Sequence, residues 1–539
     1  MKKLYSVFVL ILISCCVVNM AAQEALVSDT EQYYDFLALQ GLTERPYLNY
    51  RTLSDSSWNI QANSSHPWEN QNLGSKRKLT DKIFLKIYGP ELFNSFNTAA
   101  PYGQNDGALW QGKGYNGSLT GGARLEGYGV ELTFKPQLAF SQNAAFDIMT
   151  PEAMTGSNFA GKAKKYGYFW GTVDAPQRFG DDPLFAFDFG DSEVRYTWKT
   201  LTVGFGTEAI WLGPAYLNPI LHSNNAPTYP KFDIGLRKQR VVIPGLKWYA
   251  GDVEARIWVG YLSESNYFDN NDSNDHNMFH GLSFAYAPSF LRGLTLSVNR
   301  VCIVPWEWEN LKFIFPSNDN TIEDQKMSLA VSWLFPQVGF EVFGEFGIDD
   351  YGVFFKYPFH STVYTGGFKK QIKLPVEKPI HLEIIFEANW MEMTQDFQLQ
   401  WDYDFYFHSL IKQGYTNRGQ WLGNGNSHGG NSQYLRFNVY YPQGKSGLFV
   451  NRNNPDNNFI FKEGVNKSAE ADNLNIKYHG EYKANVIVGI DTLYFITPSF
   501  TISGGIAYDL IMNPYYYFKD TDVEYMHNFS FQIGLNYRF

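Results

Sequence analysis

Apolar and polar residues alternate without a break at the end of the chain. Phe529, Phe531, Ile533, Leu535, Tyr537 and Phe539 fall on one side, and Ser530, Gln532, Gly534, Asn536 and Arg538 on the other. Successive side chains of a strand face opposite sides, so this pattern predicts a terminal strand with one aromatic, apolar face and one wet face. The same period of two recurs from Lys82 onward. Ala255, Ile257, Val259 and Tyr261 alternate with Arg256, Trp258 and Gly260; Leu329, Val331, Trp333 and Phe335 with Ser328, Ala330 and Ser332. Leu382, Ile384, Phe386, Ala388 and Trp390 alternate with Glu383, Glu387 and Asn389, and Tyr482, Ala484, Val486 and Val488 with Lys483 and Asn485. The second sets, with Glu341, Glu345, Arg436 and Arg538, put charge where the lumen of a barrel would be. A soluble sandwich would turn the same positions to bulk water. The aromatic apolar faces and the spacing of the connections favour the barrel. Short turns at Arg292-Gly293 and Pro336-Gln337 contrast with long stretches at residues 264–278, 302–325, 394–432 and 443–476. Outer-membrane barrels keep short turns inside and long loops outside, and the pattern predicts about eighteen transmembrane antiparallel strands.

Both ends of the chain extend this picture. Lys2 and Lys3, an apolar run over residues 7–18 and Ala21-Ala22-Gln23 read as a signal peptide cleaved near Ala22, too short to span a membrane as a helix. Leu12-Ile13-Ser14-Cys15 also fits a lipoprotein box, which would make Cys15 a lipidated N-terminus. The aromatic last strand resembles the insertion signal of bacterial outer-membrane barrels, which implies the barrel-assembly machinery and outer-membrane lipid as partners. Residues 29–40 read as a short helix capped by Asp29 or Thr30 and ended by Gly41, with Tyr33, Phe36 and Leu37 as its apolar stripe. Trp58 and Trp68 are the expected anchors of the polar stretch that follows. The layout is therefore a signal peptide at 1–22, a periplasmic helical and irregular segment at 23–80, and a barrel at 81–539.

Composition agrees with an all-β membrane barrel. Of 539 residues 17% are aromatic, including 36 Tyr and 44 Phe, yet hydrophobic content is an ordinary 44%. A barrel combines the two because only half of each strand meets lipid. Two of three cysteines lie in the signal segment, leaving Cys302 without a disulfide partner. A net charge of −10 argues against nucleic acid as a partner.

Two stretches carry more than the generic pattern. One is Asn105-Asp106-Gly107-Ala108-Leu109-Trp110-Gln111-Gly112-Lys113-Gly114-Tyr115-Asn116, followed by Gly121-Gly122. The other runs from Ser192-Glu193-Val194-Arg195 through Phe205-Gly206-Thr207-Glu208 to Trp211-Leu212-Gly213-Pro214-Ala215-Tyr216-Leu217-Asn218-Pro219-Ile220-Leu221-His222-Ser223-Asn224-Asn225-Ala226-Pro227. From about Tyr88 to the C-terminus the chain resembles the capsule assembly protein Wzi family in its Bacteroidetes-type form. Thr228-Tyr229-Pro230 departs from the Gly-Phe-Pro run more usual there. The resemblance implies a non-catalytic barrel in the outer membrane of a Gram-negative bacterium that binds capsular or exopolysaccharide and helps assemble or attach the capsule. The residues alone leave a porin or substrate-specific channel open.

Gly213-Pro214 and Asn218-Pro219 are turn chemistry and predict a hydrogen-bonded loop folded into the lumen. Trp211, Asn224 and Asn225 are secondary sugar-binding candidates. The primary candidates are Trp306 and Trp308, with Trp401 and Tyr403, in long loops where rings could stack on sugars. The alternative for these residues is the aromatic girdle at the outer headgroup level. Asp269, Asp272 and Asp275 hint at Ca²⁺ but lack the glycine and distal glutamate of an EF-hand loop, so neither metal nor cofactor is expected. None of the ten His is followed two residues later by Ser, and G-x-S-x-G and H-E-x-x-H do not occur, which argues against an enzyme.

Overall fold

The computed structural model describes residues 28–52, 58–61, 64–74, 76–149, 162–168, 173–243, 245, 247–269, 271–315, 322–349, 362–392, 404–458, 482–516 and 523–539. Antiparallel strands close into a barrel of 18. The last strand, Tyr525–Tyr537, pairs with the first, Ile83–Asn97, from Ser530 opposite Asn97 to Asn536 opposite Glu91. The alternation read in the sequence is the alternation of burial. Phe529, Ile533, Tyr537 and Phe539 are exposed on the outer wall, while Ser530, Gln532 and Arg538 are buried inside. Glu341, Glu345, Glu383, Glu387 and Arg436 all face inward and are buried.

Two of the strands are broken. The third runs as Val130–Phe134 and Gln137–Ser141, and the fourth as Leu184–Asp188 and Glu193–Trp198. Lys135 and Gly190 bridge the two breaks. Gly190 has φ +56°, and a Cβ there would stand 2.4 Å from the Lys135 carbonyl oxygen, so the close approach needs glycine.

The helix is Asp29–Leu39, and its cap is Ser28, whose Oγ accepts the Glu31 N–H at 3.3 Å, rather than Asp29 or Thr30. Gly41 follows it at φ +71°. Tyr33, Phe36 and Leu37 are fully buried against Trp68, Tyr440, Leu493 and Phe495, so the helix rests on the inner wall of the barrel. Tyr33 stacks on Trp68 and Phe36 on Tyr440, each at 4.0 Å. Trp58 anchors through its N–H to Glu31 at 2.6 Å, and Trp68 through its N–H to the Gly444 carbonyl at 3.0 Å.

Residues 443–476 do not form one long loop. Gly444–Asn454 is a barrel strand, joined by a tight turn to Asn431–Tyr441. Its outward positions include only Leu448 and Val450 as large apolar residues, so the strand is too polar to show in a hydropathy pattern. The stretches at 264–278 and 302–325 are shorter than expected as loops, because His276–Pro288, Leu294–Pro305 and Asp324–Phe335 are strands.

Candidate functional site: the lumenal segments and the extracellular rim

Two segments enter the lumen and meet inside it. Tyr50–Thr52, from the N-terminal part of the chain, pairs with Ile210–Leu212, from the loop after the fifth strand, Leu201–Gly206. Wall carboxylates hold both segments by the backbone. Glu254 accepts the N–H groups of Leu48, Asn49 and Tyr50 at 2.9, 3.0 and 2.7 Å. Glu387 accepts those of Tyr216, Leu217 and Asn218 at 2.6, 3.1 and 2.8 Å. Lumen charges that look solvated in the sequence are therefore used to fasten a plug, satisfying amides that burial would leave unpaired.

A third segment packs above. Tyr406 donates its hydroxyl to the Ile220 carbonyl at 2.5 Å and accepts the Asn424 N–H at 2.8 Å. Tyr415 donates to the Leu221 carbonyl at 2.8 Å, and Ser223 to that of Gly423 at 2.6 Å. Phe405 and Tyr406 belong to a buried lumenal cluster with Ile220, Leu221, Tyr415 and Leu422. Trp401 and Tyr403 lie outside the described residues.

The two stretches that carry the resemblance are one assembly. Gly107 donates its N–H to the Asn224 carbonyl at 2.9 Å, and Asn105 its side-chain amide to the Leu217 carbonyl at 3.1 Å. Asn225 accepts the Asn105 N–H at 3.3 Å and donates to the Trp421 carbonyl at 3.1 Å. Trp211 is buried, with its N–H on the Ala215 carbonyl at 3.0 Å. Trp211 and Asn225 thus spend their side-chain hydrogen bonds on ordering the inward loops, and Asn224 is held there by its backbone. Arg195 ties the motif to the wall. Its guanidinium reaches Glu193 at 2.8 Å, Glu208 at 3.1 Å and both Asp233 oxygens at 2.9 and 2.7 Å. Arg256 and Lys231 complete this buried network at Asp233 and Glu208. Sequence reasoning singled out the Glu193, Arg195 and Glu208 stretch but assigned it no role; pairs 13 and 38 residues apart show only once the strands are in register.

Burial tunes groups in these loops. The His222 ring, between the Ile210 carbonyl at 2.8 Å and the Tyr229 hydroxyl at 2.7 Å, has its pKa pushed down to about 4 by desolvation. Asp174, which accepts the Ser265 N–H at 2.6 Å, is pushed up to about 7, again chiefly by burial. Glu264, Asp269 and Asp275 bring carboxylate oxygens within 4.8 Å of one another. Glu264, not Asp272, completes that group; burial first, and then Asp269, raises its pKa to about 9. A proton on Glu264 removes one of the three charges at neutral pH.

Trp306 precedes, and Trp308 opens, a short 3₁₀ turn, Trp308–Ile314. By strand parity Met278, Cys302 and Val304 point outward, and Phe313 buries itself against them. The turn therefore lies on the outer wall at the rim. Arg300 pins it by donating to the Phe313 and Ile314 carbonyls at 2.8 and 3.2 Å. Trp308 is 83% exposed and Trp306 45%, the latter edge-on to Tyr261 at 4.7 Å.

The profile of the Capsule assembly protein Wzi family matches residues 154–489, more than half of the chain. No curated protein sequence matches it. Among solved structures it is similar to Escherichia coli Wzi, described as an outer membrane protein involved in group 1 capsule assembly and a carbohydrate-binding β-barrel. That likeness has 12% identity and a TM-score of 0.55 over 83% of this chain and 84% of that one. OprD of Pseudomonas aeruginosa, at 10% identity, gives a TM-score of 0.38 over 87% of this chain and 96% of that one. Acinetobacter baumannii OccAB2, also at 10%, gives 0.38 over 83% and 97%.

Proposed function

Because the chain belongs to the capsule assembly protein Wzi family, we propose that this outer-membrane barrel binds capsular polysaccharide at its extracellular face, without chemistry, and helps hold the capsule on the cell. The observation that carries binding over transport is the fastened plug: Glu254 and Glu387 are spent on the backbones of segments that meet across the lumen. A porin keeps such wall charges for the water-filled path. The polymer then lies on the rim, with Trp306 and Trp308 as exposed stacking surfaces and Trp401 and Tyr403 as the further candidates named from the sequence. Many weak contacts along a repeating chain raise avidity without a deep pocket.

Capsule retention on cells tests this. Trp306→Ala/Trp308→Ala and Trp401→Ala/Tyr403→Ala should each shed capsule while the barrel still assembles. Retention unchanged when all four are replaced would remove the aromatic surface from the reading. Steady open-channel current from the wild-type barrel in a planar bilayer would replace binding by transport.

A further inference from the structure

The outer wall holds a polar cleft where the lipid-facing surface should simply end. Going up the strand Gly444–Asn454, outward positions read Leu448, Val450, Arg452, Asn454; going up its neighbour Asn431–Tyr441 they read Phe437, Leu435, Gln433, Asn431. Leu448 and Val450 are 44% and 39% exposed and belong to the apolar band that meets acyl chains. One step above the band the wall turns polar and cationic. At the same level Trp390 stands on the adjacent strand to one side, and Ala484, Met512 and then Tyr525 follow on the other. A cleft of about 430 Å³ opens here, bounded by Asn431, Arg452, Asn454, Asn457, Tyr482 and Tyr525.

Its polar groups are set in place. Asn431 and Asn457 both donate their side-chain amides to Glu392, which turns the Asn431 carbonyl oxygen toward Arg452. Arg452 donates to that oxygen and to Gln433 at 3.2 Å. Carboxamides orient a guanidinium but do not neutralise it, and among the described residues no carboxylate forms an ion pair with Arg452. The side-chain oxygen of Asn457 is buried and has no hydrogen-bond partner among the described residues. Tyr482 and Tyr525, 48% and 55% exposed, stand at the mouth. Glu524, exposed, is the acidic member of the lining.

We propose that this cleft holds the acidic sugar headgroup of an outer-leaflet glycolipid. The cation takes the phosphate or carboxylate, for which a guanidinium fork is suited. The unpaired Asn457 oxygen takes a sugar hydroxyl, since a buried acceptor gains from any donor brought to it. The tyrosines offer ring faces to the sugar, amphipathic residues suited to this depth. The location selects the ligand class. A molecule in this cleft has the hydrophobic band directly beneath it, so one that carries acyl chains binds with both ends. This site is separate from the polymer-binding surface and does not depend on it.

Native mass spectrometry of the full-length barrel in detergent tests the proposal, with deep-rough lipopolysaccharide, phosphatidylglycerol and inorganic phosphate as probes. The wild type should retain the lipopolysaccharide in preference to phosphatidylglycerol, and millimolar phosphate should not displace it. Arg452→Gln should weaken retention about tenfold or more, the scale of a charge-assisted hydrogen bond. Tyr482→Ala/Tyr525→Ala should weaken it by a smaller factor, and this variant decides the matter if Arg452→Gln does not assemble. Equal retention by both variants overturns the proposal. So does equal retention of phosphatidylglycerol, which would mean ordinary anionic lipid, or full displacement by phosphate, which would mean a free-anion site.

Discussion

Removing the plug latches should raise the conductance of the barrel. Glu387 holds three consecutive amides and Glu254 another three. Hydrogen bonds to a charged group contribute ~1.5–3 kcal/mol each, but three that share one carboxylate are not additive. Deleting the carboxylate leaves buried amides without their acceptor, at ~1–3 kcal/mol for one such group, so the three together put Glu387→Ala at ~3–5 kcal/mol. The two latched segments pair with each other at residues 50–52 and 210–212, so the double variant Glu254→Ala/Glu387→Ala should lose less than twice that amount. At about 1.4 kcal/mol per decade, one latch raises the population of unplugged barrel on the order of 100-fold or more. Planar-bilayer recording reads this directly. The wild type should stay closed, each single variant should show brief openings, and the double variant longer ones. A double variant that inserts, shows normal heat-modifiable mobility and stays as quiet as the wild type would refute the idea that these carboxylates hold the lumen shut.

Other consequences are as direct. Arg195→Met leaves Glu193, Glu208 and Asp233 buried beside fewer cations and should destabilise the barrel by ~3–5 kcal/mol, read as a lower unfolding midpoint in denaturant. Asp174 keeps its proton in the folded protein up to about 7 but loses it near 3.8 when unfolded, so its contribution to stability is complete below about 4 and fades as pH rises to about 7. Asp174→Asn should flatten that part of the melting temperature against pH; an unchanged slope would disprove its source. Deleting Phe539, or replacing it with Asp, should leave little heat-modifiable protein in the outer-membrane fraction, and normal assembly would show that the terminal aromatic is dispensable.

The wall of the barrel was legible because a period of two repeated over many strands is a strong signal. Leu329 to Phe335 and Leu382 to Trp390 show it without ambiguity. The strand Gly444–Asn454 escaped because lumen-facing Lys445, Asn451 and Asn453 alternate with outward Ser446, Arg452 and Asn454, so both faces look polar. The inward folding of the loop over residues 211–227 was readable from its turn residues, but its partners were not. Nothing local in Pro46-Tyr47-Leu48-Asn49-Tyr50 says that Glu254, some two hundred residues on, will hold it. Trp211 illustrates the limit for sites: an aromatic in an amide-rich loop reads alike whether it faces sugar or fills a plug. The position of Trp306 and Trp308 on the outer wall depends on strand parity through Arg300, Cys302 and Val304, where an arginine at an outward position hides the lipid-facing pattern.

The closing seam also carries its own stop. The last strand occupies the edge of the first only from Glu91 to Asn97. Farther down, Arg77–Thr80 folds back and takes the same edge at Phe84 and Leu85. The guanidinium of Arg77 sits 5.9 Å from the ring of Phe539, just beyond the end of the paired stretch. A slip of the last strand toward the periplasm would drive Arg538 and Phe539 into space already filled, and a one-residue slip would turn its aromatic face into the lumen. A strand that joins the barrel across the whole length of the chain thus finds its register marked by a short hairpin at the other end.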